Sequence, residues 1–198
     1  MGTIIALSGY KGSGKTVVAN MLLTDYRYHI EALSGVMKRC VGDIFLWDDS
    51  YFEMPKKEMI DPRWGISPRQ VLQHMGTDWA QYELPARYLE FSSTVGRKLW
   101  IKRFLIWYAE QVAQYPEYKV VLQDVRFPHE QEELFNLRDT SAENVIFIFI
   151  ERKLDRFDTH ESEMWYDRLH YDYTIKNHGT LTDLQNEVDK LMVAHLIR

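Results

Sequence analysis

GYKGSGKTVVAN, residues 9 to 20, directly follows the apolar run TIIALS at residues 3 to 8, and this junction decides the fold. Gly9, Gly14, Lys15 and Thr16 satisfy the pattern G-x-x-x-x-G-K-[ST]. The short β-branched run before it reads as a buried parallel strand. After it, Val17, Val18, Met21 and Leu22 fall at helical spacing, predicting a helix from Lys15 to about Asp25. Strand, glycine-rich loop and helix form the setting in which this pattern grips phosphate. Glycines let the backbone wrap phosphate oxygens, and the helix start adds exposed amides and partial positive charge. Gly9, Lys11, Gly12, Ser13, Gly14, Lys15 and Thr16 are therefore the candidate nucleotide-binding residues, with Lys15 for the β/γ-phosphates and Thr16 for Mg²⁺. Lys11 either adds charge to the loop or is simply solvated. A chance match in a turn of small residues is the bland alternative, and the flanking elements count against it.

A chain of 198 residues is long enough for one substantial core, and the expectation is a single domain with inserted segments. With 45% hydrophobic and 27% charged residues the composition is that of a globular protein. A net charge of -5 gives no global field favouring a nucleic-acid backbone, so small phosphorylated ligands are expected rather than polymers. The single cysteine, Cys40, cannot form an internal disulfide and suits a reducing cytosol. Beside Met37, Val41 and Ile44 it reads as core filler. The opening MGTIIALSGYKG lacks a basic stretch, and its apolar run is short for a signal peptide or membrane span, so a cytoplasmic setting with no membrane partner is expected.

Further along, YHIEAL (28 to 33) predicts a second strand, and a helix from Ser34 to about Trp47 carries Val36, Met37, Cys40, Val41 and Ile44 as its apolar stripe. Asp48 to Pro68 turns to charge, proline and aromatics and reads as a long loop, a feature that is usually functional or mobile. SPRQVLQHMG then reads as a helix with Ser67 as N-cap, Pro68 in its first turn and Gly76 at its end. A long aromatic-rich helix is expected from Gly96 to about Gln114, and strands are expected in YKVVLQDVRFP, VIFIFIER and YDYTIKN, with a last helix from about Thr180. Alternating strands and helices imply an α/β fold with a central parallel sheet and helices on both faces.

Asp124 and Arg126 close the third strand run, at the sheet edge where ligands bind in open α/β folds. There Asp124 could hold Mg²⁺ through water or orient an acceptor, and Arg126 could grip a phosphate with its planar fork. A surface salt bridge at a strand end is the alternative. Arg69 at a helix start would favour an anion, or would simply be solvated.

SPRQVLQHMGTDW (67 to 79), QDVRFPHE (123 to 130) and HESE (160 to 163), with the glycine-rich loop, resemble the phage-type deoxynucleoside monophosphate kinases. The resemblance spans most of the chain. It implies a three-layer P-loop kinase fold over residues 1–198, with an acceptor-binding insertion at about 48–95 and a lid at about 152–170. It further implies transfer of the γ-phosphoryl group of ATP to a deoxynucleoside monophosphate, with Mg²⁺, in the cytoplasm of a host if the gene is a phage's. By position, Arg69 would grip the acceptor's phosphate, and Gln73, Gly76, Thr77, Asp78 and Trp79 would line its sugar or base, with Lys38 a further substrate-binding candidate. Lys15, Arg69, Asp124, Arg126 and Arg152 form the implied catalytic set, and Thr16 and Asp124 the implied metal ligands.

The lid would bring Arg152, Lys153 and Arg156 over the transferring phosphates, although Glu151, Asp155 and Asp158 could equally make this a solvated face. His160, Glu161 and Glu163 lack a second cluster to complete a metal site, and a structural or hinge role is expected instead. Asn177 ends the last strand, either touching the adenine of ATP or forming a plain turn with Thr180 or Thr182 as cap. Trp64 and Trp79 flank the acceptor helix and could stack a base. Trp100, Phe104, Trp107 and Tyr108 form a stripe that a homodimer could bury. Rival readings are a dephospho-coenzyme A kinase, a general nucleoside monophosphate kinase, and a nucleotide-dependent switch without an acceptor.

Overall fold

The computed structural model describes residues 1–141, 143–153 and 164–195. In chain order its elements are β1 (Thr3–Ser8), α1 (Lys15–Tyr26), β2 (His29–Ala32), α2 (Gly35–Phe45), α3 (Pro68–Gln73), α4 (Leu84–Arg87), α5 (Leu89–Thr94), α6 (Leu99–Gln114), β3 (Lys119–Gln123), α7 (Pro128–Thr140), β4 (Asn144–Glu151), β5 (Tyr173–Lys176) and α8 (Leu181–His195). Short 3₁₀ turns interrupt the expected loop at Asp49–Phe52 and Lys56–Glu58. The chain divides into two compact units, one of residues 1–33 with 105–198 and the other of residues 34–104.

The first unit holds the sheet. Its order is β2-β3-β1-β4-β5 and all four pairings are parallel. β1 is buried at every position, as the middle strand of a covered parallel sheet must be. Successive strand residues point to opposite faces, which separates two layers of helix. Ile5, Leu7, Ile146 and Ile148 share one cluster with Val18 and Leu22 of α1 and with Leu184 and Val188 of α8. Phe147, between the two isoleucines, instead meets Phe135 of α7 with ring centroids 4.7 Å apart. Helices thus cover both faces, and the fold is a three-layer α/β sandwich. On α1 the buried stripe is Val18, Ala19, Met21 and Leu22, while Val17 is exposed.

In the second unit Met37, Val41, Trp47, Phe52, Val71 and Leu72 form the core. Asp61 is buried within it because Trp47 Nε1 donates to it at 2.7 Å and the Arg63 fork grips it, with Nη2 at 2.6 Å. Those bonds hold the Asp61 carboxyl far below the usual carboxylate range. Three expectations are corrected here. Cys40 is exposed, as is Ile44, because α2 buries the narrower set Met37, Val41 and Gly42. Gly76 does not end a helix: the run begun at Pro68 continues as a π-helix from His74 to Glu83 and regains α geometry at Leu84. Gly76 keeps a negative φ, and a Cβ there would lie 3.1 Å from the Met37 methyl, so its small size serves packing. Finally, Phe104 and Tyr108 of the aromatic stripe are buried within the chain and are not surface residues that a second copy could cover.

Candidate active site

β1 lies between β3 and β4, so the sequence of strands reverses direction around it, and α/β sheets bind ligands at such a switch point. The glycine-rich loop leaves β1 there. Ser8 Oγ donates to Val125 O at 2.6 Å and Val125 N donates to Leu7 O at 3.3 Å, stitching the segment beyond β3 to the end of β1. Asp124, the residue just before that stitch, takes a left-handed backbone with φ 66°. Such a conformation in a residue with a Cβ costs about 1–3 kcal/mol and is held by its surroundings.

The Asp124 carboxylate faces two cations. Arg126 Nη2 lies 3.2 Å and Lys15 Nζ 4.0 Å from its Oδ1. Lys15 also donates to the carbonyls of Gly9 and Tyr10, the latter at 3.1 Å, so its ammonium folds over the loop. Gly14 caps α1 in the left-handed region with φ 106° and makes no side-chain cap, which leaves the helix start to other partners. Ser13 is buried, and among the described residues its hydroxyl has no hydrogen-bond partner. An orphaned buried hydroxyl beside an uncapped helix start and a lysine suits phosphate oxygens. For a hard divalent cation the offered donors are the Thr16 hydroxyl and the Asp124 carboxylate. Among the described residues no group of three or more His, Cys, Asp or Glu is placed to hold a metal ion.

Sequence reasoning missed Glu130. Its carboxylate accepts from the backbone amides of Arg126 at 2.8 Å and Phe127 at 3.0 Å, fixing the turn that carries Asp124 and Arg126. Burial pushes its pKa up to about 7, although the two amides and Arg126 pull it down, while Asp124 raises it further. An acid in the third position after a helix start, with Pro128 in the first turn, was the available signal. Of the two readings of Asn177, the turn capped by Thr180 is the one found, but the reach of its side chain was not foreseen. Its side chain donates to Ser13 O at 2.8 Å, so it faces the glycine-rich loop, while Thr180 caps α8 in a reciprocal pair with Asp183.

Arg152 is exposed just after β4, and among the described residues no element holds it. Arg156, with Asp155, Asp158, His160, Glu161 and Glu163, lies outside the described residues.

In the second unit Ser67 is the N-cap and Pro68 lies in the first turn, as expected. Ser67 accepts from Gln70 N at 3.3 Å and Gln70 Oε1 accepts from Ser67 N at 2.9 Å, a full capping box. Arg69 in the first turn of α3 pairs with Glu58 at 3.4 Å and is mostly covered. Gln73, Gly76, Thr77, Asp78 and Trp79 follow on one helical run, with Thr77 buried and Asp78 exposed beside His74 at 3.3 Å. The Gly76 carbonyl accepts from Trp100 Nε1 at 2.9 Å, which holds the π segment from outside. Lys38 is half-buried on α2, next to the Met37 that packs on Gly76. Trp64 and Trp79 are both exposed, and Trp64 meets Phe45 edge-on with centroids 5.5 Å apart.

Among the described residues no helix is long and apolar enough to cross a membrane. A crystal structure of TT1252 from Thermus thermophilus is similar at 18% identity and a TM-score of 0.48, covering 99% of this chain and 98% of its own. Shikimate kinase from Acinetobacter baumannii is similar at 14% identity and 0.46, covering 99% and 95%. Likenesses at this level carry nothing about substrate. The "Putative deoxynucleotide monophosphate kinase" of Acanthamoeba polyphaga mimivirus is 29% identical over 191 residues, 93% of each chain. A family model for deoxynucleotide monophosphate kinase matches residues 53–188, which takes in the capped α3, the π segment, Asp124, Arg126 and Glu130. The chain therefore belongs to the deoxynucleotide monophosphate kinase family and is a nucleotide kinase.

Proposed function

We propose that the enzyme transfers the γ-phosphoryl group of ATP to the phosphate of a deoxynucleoside monophosphate, giving ADP and the diphosphate. What supports this most is the meeting of Lys15, Asp124 and Arg126 at the switch point, in a chain of this family. The glycine-rich loop binds the donor's phosphates through its amides, and the Lys15 ammonium moves from the Gly9 and Tyr10 carbonyls onto phosphate oxygens. Arg126 leaves Asp124 to pair with the transferring group, countering the charge that spreads over its oxygens. Asp124, freed of its arginine, and Thr16 would hold Mg²⁺, which screens charge between donor oxygens. Arg69 exchanges Glu58 for the acceptor's phosphate, and Lys38, Gln73, Gly76, Thr77, Asp78 and Trp79 line the rest of the acceptor. Arg152 would meet the phosphates from the lid expected at about 152–170, a role that would exclude water, although residues 154–163 of that span lie outside the described ones. The cytoplasm, that of a host if the gene is viral, supplies both nucleotides.

ADP formation from Mg-ATP is the test, measured with dTMP, dGMP, dCMP, dAMP, the matching ribonucleotides and dephospho-coenzyme A, and with Lys15→Met as control. Turnover stimulated by one or more deoxynucleotides and abolished in the control is the expected result. Equal, slow ADP release in every well removes the acceptor and leaves a nucleotide-dependent switch.

A further inference from the structure

We infer that Asn177 is a positioning residue for the phosphate loop, acting through the Ser13–Gly14 peptide; this rests on reading residues 9–16 as the nucleotide phosphate site. The backbone amide of Asn177 donates to Glu151 O at 2.8 Å, extending the β4–β5 ladder by one residue and fixing the main chain where the side chain departs. That side chain is buried, and its Nδ2 reaches across 164 residues of sequence to donate to Ser13 O at 2.8 Å. A carbonyl only accepts, so the amide nitrogen of Asn177 must be the atom facing it.

The acceptor is one end of a trans peptide. In such a unit the C=O and N–H point to opposite sides. Drawing the Ser13 carbonyl toward Asn177 therefore aims the Gly14 N–H away from the end of β5, alongside the first amides of α1. Gly14 and Asn177 also specify each other: a Cβ on Gly14 would lie 2.5 Å from Asn177 Nδ2, and Gly14 sits at φ 106°. Without the asparagine the Ser13 carbonyl loses its donor in a buried setting, and the peptide is free to rotate its N–H off the ligand. A donor array that must be ordered by its ligand binds that ligand more weakly than one already in place.

Calorimetric titration of ADP with Mg²⁺ into wild-type enzyme, Asn177→Asp, Asn177→Ala and Lys15→Ala tests the inference, with thermal unfolding of each to establish folding. Asn177→Asp keeps the size and removes the donor, and at pH 8 its ADP dissociation constant should rise about tenfold or more. At pH 5 its deficit relative to wild type should shrink, because the introduced carboxyl, raised in pKa by burial opposite a carbonyl, regains a proton to donate. Asn177→Ala should show a deficit that does not depend on pH, which keeps the test decisive should the aspartate variant fail to fold. In turnover, KM for Mg-ATP should rise while KM for the acceptor stays. Folded Asn177 variants that bind ADP as wild type does, while Lys15→Ala does not, overturn the positioning role alone. If Lys15→Ala also binds normally, the phosphate-loop reading falls and takes this inference with it.

Discussion

Asp124 combines a left-handed backbone with a carboxylate held between Arg126 and Lys15, so its two properties can be separated by substitution. Asparagine tolerates the left-handed region and removes only the charge, whereas alanine removes the charge and keeps the strain. Asp124→Asn should fold with near wild-type stability and lose about 10² to 10³ in kcat, as removal of one preorganised electrostatic partner does. Asp124→Ala should lose as much activity and a further ~1 kcal/mol of stability, read from denaturant midpoints. Equal stability of the two would mean that the backbone carries no strain of consequence. Arg126→Lys should recover little of the activity lost in Arg126→Ala, because a point charge does not reproduce a two-pronged grip; kcat values for the pair decide it.

At the scale of elements, the start of α7 is built around a buried acid. Glu130 has a pKa of about 7 in the folded protein against an ordinary 4.5, so the folded state binds the proton more tightly than the unfolded chain. Between those values the folded form carries more protons, and stability falls as pH rises from about 4.5 to about 7, by at most about 3 kcal/mol. Glu130→Gln should flatten that slope in denaturant unfolding measured from pH 4.5 to 8, and an unchanged slope would place the titrating group elsewhere. Strands and helices of the sheet were legible because each is a short apolar run or a stripe at one period, and β1 with its glycine loop is the plainest. Gly76 was misread because glycine signals both a helix end and a close contact, and only the approach of Met37 from α2 decides between them. The π segment has no period a sequence displays, since its hold comes partly from Trp100, 24 residues away. Asn177 was illegible for the same reason at larger range, its partner Ser13 being 164 residues distant.

Over the whole molecule, the candidate residues fall into two sets, the phosphate loop with Asp124 and Arg126 in one compact unit, and Arg69 with the π segment in the other. If each set serves its own nucleotide, their substitutions should separate. Arg69→Ala should raise the acceptor KM by roughly 10- to 100-fold, the range for a hydrogen bond to a charged group, and leave the ADP dissociation constant unchanged. Lys15→Ala should do the reverse in direct binding of both ligands, and a loss of both affinities in either variant would show one shared site residue. The split was legible only in part: the change to proline, charge and aromatics at Asp48 marked something inserted, but the second unit begins at Ser34, inside what reads as a regular strand-helix pair. The strand order has a consequence for how the chain is made. β1 pairs with β3 and β4, and Thr3 meets Lys119, so nothing emerging early from the ribosome can complete its hydrogen bonds; β2, made next, is not its neighbour. At roughly 5–20 residues per second, β1 waits between about 6 and 23 s for the end of β3. During that interval the stretch between Ser34 and Phe104 is finished first, and the apolar TIIALS run travels exposed, a natural client for whatever shields nascent chains in the cell.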